Sequence, residues 1–232
     1  MSDPVIVGVD AGCATLGEAD LLIQRIVESF ALPPDTVACT HAVGVERIHV
    51  ALSFALPPTW REQQSWRRVA QVAGDLAIAR LAAARPPPHR DGDGVAVGAG
   101  TALARFGDVR ALVAGPVGVA TETESIGPPE LAAGAAQAVA AHADRRGGRA
   151  VVYPGVGRLR GTVRVETVLG QTAVGQVVAP AGQNAPRGGD LLRTRDHVRP
   201  VWQDGVLTLL ADADTERGRV FVPSEVPQAF LA

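Results

Sequence analysis

The stretch VIVGVDAGCATLGEADLLIQRI, residues 5–26, passes from a valine-rich run through Asp10-Ala11-Gly12 into a helical pattern. Val5 to Val9 reads as a short buried strand. Thr15 and Glu18 sit at capping-box spacing, with Thr15 as N-cap. Ala19, Leu22, Ile23, Ile26, Val27 and Phe30 then recur at helical intervals, opposed by Asp20, Gln24, Arg25 and Glu28. A strand handing over directly to a capped helix predicts a fold of mixed α and β structure. It also distinguishes this Asp-x-Gly from the phosphate motif of the sugar kinases, where a second strand follows.

Working outward, TVACTHAV (36–43) and RIHVALSF (47–54) read as two strands around Gly44, the second with Ile48, Val50, Leu52 and Phe54 on one face. A long helix is expected from about 60 to 84, a loop at 85–94 and a strand at 95–100. The order β-α-β-β-α-β defines a ferredoxin-like portion of an α+β protein. One or two further strands are expected within 109–121, then a helix over 127–146 with Pro128 at its first position. The composition changes near DRRGGR (144–149), which divides the chain into a ferredoxin-like domain, 1–145, and a β-rich module, 146–232. That module shows TVRVETV, AVGQVVA, VLTLLA and RVFV between turn residues, the pattern of a small barrel or β-clip with no helix.

Composition limits the chemistry. The 232 residues hold 22 basic side chains, all of them arginine. Without lysine there is no P-loop lysine, Schiff base or lysine general base, and anions must be met by arginines, backbone N–H groups or helix N-termini. Residues 1–144 carry a net charge of −6 and residues 145–232 a net charge of +4. Ten arginines fall between Arg145 and Arg199 against three acids, Glu166, Asp190 and Asp196, so the β-rich half, Arg158 and Arg160 included, is a candidate contact for a polyanion or a small anionic ligand. With no apolar run of membrane-spanning length and no basic, apolar leader at Met1, the expectation is a cytoplasmic protein with no membrane contact. Its two cysteines are expected to be reduced.

Four groups are candidates for chemistry. Asp10 and Cys13 lie where strand meets helix, and the amides there, with Thr15, can attract an anion; a buried, inert thiol is the plainer reading of Cys13. Thr121, Glu122, Thr123, Glu124 and Ser125 form a polar loop in which Glu122 and Glu124 can act as paired carboxylates. Cys39 and His41 share a strand face with His49 in reach across the hairpin, a metal-like trio lacking a visible fourth ligand; no metal and no cofactor is expected. Gly98-x-Gly100 lacks the third glycine of a dinucleotide fingerprint and reads as a turn.

VVAPAGQNAPRGGDLLRTRDHVRPV (177–201) resembles the SAF, or antifreeze-like, β-clip module, in which an apolar strand is followed by a Pro/Ala-x-Gly turn, a leucine and an acid. Val177, Val178, Pro186, Gly188, Leu191 or Leu192, and Asp196 carry the likeness. The resemblance implies a small β module that binds a ligand, and it transfers no catalytic residue. The functional expectation is a self-associating binding or assembly protein. The alternative is an enzyme acting on a small anionic substrate in a cleft near Asp10 and the 121–125 loop.

Overall fold

A computed structural model describes residues 4–45, 47–57, 116–214 and 219–224. The expected helix at 60–84, the loop at 85–94, the strand at 95–100 with Gly98-x-Gly100, and the start of the 109–121 region lie outside the described residues. The described residues form a mixed α/β fold with three α-helices and one large mixed sheet.

Strands β1 (Val5–Cys13), β2 (Val37–Val43), β3 (His49–Leu56), β4 (Gly118–Ala120) and β5 (Ser125–Ile126) make one wing of the sheet. Its order is β5-β4-β1-β3-β2, with every neighbouring pair antiparallel. Helix α1 (Leu16–Phe30) covers one face and α2 (Pro129–Ala143) the other. Alternation along the strands makes this division. Val7, Val9, Val50, Leu52 and Phe54 pack with Leu22, Ile23 and Ile26 of α1, while Ile6, Ala51 and Ala120 meet Ala135, Ala138 and Val139 of α2. The capping box of α1 forms as its sequence predicts, with Glu18 N–H donating to Thr15 Oγ1. Helix α2 begins one residue later than expected: Pro128 is its N-cap and Pro129 its first residue, where a missing N–H costs nothing. Small residues let α2 lie close. A Cβ on Gly8 would come within 2.1 Å of the Ala135 carbonyl oxygen, and one on Gly118 within 2.2 Å of the Leu131 backbone.

The sheet continues through β6 (Arg149–Val152), which pairs with β2 on one side and with β10 (Val201–Gln203) on the other. Beyond lie β7 (Thr162–Arg164), α3 (Val165–Gln171), β8 (Gln176–Val178), β9 (Leu191–Arg193), β11 (Val206–Ala213) and β12 (Val220–Pro223). β11 forms a hairpin with β10 and also pairs with β8 and β12. Tyr153, Leu159, Val168, Leu192, Leu209 and Phe221 form a second apolar core in this half.

Three local expectations are corrected. TVRVETV is a strand only to Arg164; α3 follows, because Val165 and Val168 turn inward at helical spacing. β3 starts at His49, which leaves Ile48 exposed. β1 runs on to Cys13 through a bulge between Val9 and Cys13, so Asp10 lies inside the strand and not at its end. Among the described residues, no helix is long and apolar enough to cross a membrane.

Candidate functional site

Two buried polar clusters lie beneath α2, and an open cleft lies at the start of α1. The first cluster centres on Asp10. Opposite β4 it pairs with Gly118, but the bulge breaks its register with β3 and aims its carboxylate under α2. Oδ1 accepts the Gly12 N–H at 2.8 Å, and Oδ2 lies 2.7 Å from His49 Nε2. His49 Nδ1 in turn donates to the Arg47 carbonyl at 3.1 Å. Burial holds the Asp10 pKa above its ordinary value despite these hydrogen bonds. Burial alone would lower the His49 pKa, but bonding to Asp10 and Arg47 outweighs it and raises the value. Both ring nitrogens are engaged, so His49 fastens the β2–β3 hairpin to β1 and has no lone pair free to act as a base.

The sequence candidates around Asp10 do not gather there. β4 is antiparallel to β1, with Gly118 opposite Asp10 and Ala120 opposite Gly8, so the 121–124 turn lies toward the N-terminal end of β1. Glu122 and Glu124 are exposed on that turn, and Thr121 Oγ1 accepts from the N–H groups of Thr123 and Glu124. Ser125 belongs to β5 and is exposed. Thr15 is spent on the helix cap. Cys13 belongs to the α1 core, and burial, with the charges of Glu18 and Asp10, pushes its thiol pKa up to about 11. Such burial disfavours the reactive thiolate.

The second cluster corrects the metal-like trio. Cys39 and His41 do share a face of β2, but His142 of α2 completes the group, and His49 is taken by Asp10. His142 escaped sequence reasoning because nothing local links a helix to a strand about 100 positions away. Ser53 Oγ stands between the rings, 2.7 Å from His41 Nε2 and 2.6 Å from His142 Nδ1. Burial drives the His41 pKa down to about 3 and that of His142 to about 4, so both are neutral imidazoles at neutral pH.

The cleft is built by a residue that the sequence placed on the polar face of α1. Asp20 is buried, its carboxylate held by Arg149 Nη2 at 2.5 Å from β6 and by Arg199 Nε at 3.1 Å. Arg149 is itself buried, and its Nε has no hydrogen-bond partner among the described residues. A cavity of about 240 Å³ opens beside them, walled by Leu16 and Gly17 of the first turn of α1, by His197 and by Ser224. Two guanidinium groups face one carboxylate, which leaves a surplus positive charge. The other arginines of the basic tract are spread widely. Arg193 pairs with Asp214 and Arg164 lies 4.0 Å from Glu166, while Arg158 and Arg160 are exposed away from the lining of this cavity.

Compared with known proteins, the chain matches no family model, no curated protein and no solved structure.

Proposed function

We propose that this chain is a ligand-binding protein whose cleft between α1 and the β-rich half takes a small anion such as a phosphate or carboxylate group. One observation carries the reading: Arg149 and Arg199 converge on Asp20 with a net positive charge, and Arg149 is buried with an Nε unpartnered among the described residues. The first turn of α1 adds the positive end of a helix dipole on the same wall. At about 240 Å³ the cavity is below the roughly 300–1,000 Å³ of pockets for drug-sized ligands, which suits a compact anion and not a polymer. His197 and Arg199 belong to the segment resembling the SAF module, which supports assigning ligand contact to the β-rich half. The strand order β4-β1-β3-β2 supports a ferredoxin-like N-terminal portion.

The test is calorimetric titration of the full chain with inorganic phosphate and with a small dicarboxylate. Binding is expected to weaken as salt rises and to fall about tenfold or more in R199Q, since a hydrogen bond to a charged group contributes roughly 1.5–3 kcal/mol. Affinity unchanged in a folded R199Q would overturn the assignment.

A further inference from the structure

We infer that Cys39, His41 and His142 form a binding site for a thiophilic divalent metal ion of the zinc class, a site separate from the anion cleft. β2 presents Cys39 and His41 two residues apart on one face, and α2 lowers His142 onto them, so that one donor atom from each lies within 4.8 Å of the others. All three residues are at most 4% exposed. Zinc takes thiolate sulfur and imidazole nitrogen as donors, and sites with three protein ligands keep water or an oxygen in the fourth position. Ser53 Oγ already stands between the two rings and is near enough to be that fourth donor once its two hydrogen bonds give way to the metal.

The metal-free cluster is one connection short. A serine hydroxyl has a single proton, so Ser53 donates to one imidazole and accepts from the other. That arrangement leaves His41 Nδ1 buried with no partner among the described residues, and an unsatisfied buried polar atom is destabilising. Zinc bonds of about 2.0–2.3 Å place tetrahedral donors roughly 3.3–3.7 Å apart. The three donors, within 4.8 Å of one another, therefore need to close by up to roughly 1.1–1.5 Å. The two rings lie with their centroids 6.2 Å apart, and the Trp202 indole lies 6.3 Å from the His142 ring.

The proton balance follows from Cys39, whose thiol is fully buried and carries its proton at neutral pH in the absence of metal. The metal-free protein carries Cys39 as the thiol. Binding forms a sulfur–metal bond, breaks the S–H bond and releases one proton to solvent, so affinity rises about tenfold per pH unit. Both histidines enter as neutral ligands and release nothing at neutral pH. The groups facing the cluster are Ser53 from β3, Trp202 from β10 and Arg145 just beyond α2, whose guanidinium lies 5.5 Å from the Trp202 ring. Arg149 of β6 adds a positive charge that acts on the thiol.

Cobalt(II) is the probe. The reduced full chain titrated with cobalt is expected to bind one equivalent, with intense visible bands of a four-coordinate ion and a thiolate-to-cobalt charge-transfer band, both displaced by zinc. Since the chain has two cysteines, C13A should keep the charge-transfer band and C39A should lose it. C13A alone decides the ligand should C39A fail to fold. In H142N the visible bands should weaken to those of a hydrated ion. No charge-transfer band in the wild-type protein, or a band that C13A abolishes, would overturn the inference.

Discussion

A histidine pair, His41 and His142, and an aspartate–histidine pair, Asp10 and His49, have opposite effects on stability as pH changes. His41 and His142 are held neutral, with pKa values near 3 and 4, whereas the unfolded chain protonates them near pH 6.5. Depressed folded values mean that their stabilisation is complete above about pH 6.5 and is lost as pH falls below it. Each contributes a slope of up to about 1.4 kcal/mol per pH unit. Denaturant titrations of the metal-free protein at pH 7 and pH 5 should show the fall, and a doubly substituted H41N/H142N chain should flatten it. His49 works the other way. Its pKa is raised, so the stability from its contact with Asp10 is present below the ordinary histidine range and is lost as pH climbs through the raised value. The raised Asp10 pKa has the same sign, because the folded pair retains protons that the unfolded chain has released. H49N should remove the histidine's part of that decline, while the Asp10 carboxyl, deprived of the hydrogen bond that lowers its pKa, keeps its own part. A chain with both pairs has its stability maximum between the two limbs.

Helix α2 is the element on which both buried clusters depend, and its seat is prepared by absent side chains. A methyl group on Gly8 or Gly118 would overlap α2 backbone atoms at 2.1 and 2.2 Å, and backbone gives way only by moving the whole helix. G118A should cost about 3 kcal/mol, which for a chain of this size lowers the melting temperature by roughly 2–4 °C per kcal/mol. It should also shift the His142 ring resonances in an NMR spectrum. T15A removes an exposed cap and should cost only about 1 kcal/mol. The contrast separates what the sequence displays from what it conceals. The α1 cap, its apolar stripe and the alternation of β2 and β3 are local patterns, legible from spacing alone. The partner of Cys39 and His41 was illegible because it arrives from α2, and α3 was missed because two inward valines over seven residues are too few for a period to declare itself. Asp10 misled for a related reason: Asp-x-Gly signals a turn, yet here the same residues make a β-bulge inside a strand.

Across the whole molecule, Asp20 joins the two halves of the chain a second time, beside the pairing of β2 with β6. It stands on α1 and holds Arg149 of β6 and Arg199 ahead of β10. The helical pattern assigned it to the solvent face, and only long-range packing buries it, while Gln24, Arg25 and Glu28 of that face stay exposed. In the proposed anion site the carboxylate has two effects. It fixes both guanidinium groups in place, and it competes with a bound anion for them. D20N separates the two effects while keeping the side-chain shape. Losing the charge leaves buried Arg149 without its counter-ion, which should cost about 3–5 kcal/mol in the absence of ligand. The same change removes the competitor, so phosphate should bind D20N more tightly than the wild type and recover part of that loss, since stabilisation by a ligand grows with the logarithm of its concentration over its dissociation constant. Melting curves with increasing phosphate should therefore rise more steeply for D20N than for the wild type, while matched additions of sodium chloride should leave the two slopes equal. Equal phosphate slopes would mean that the guanidinium groups serve only to join the halves, and that the cleft beside them binds no anion.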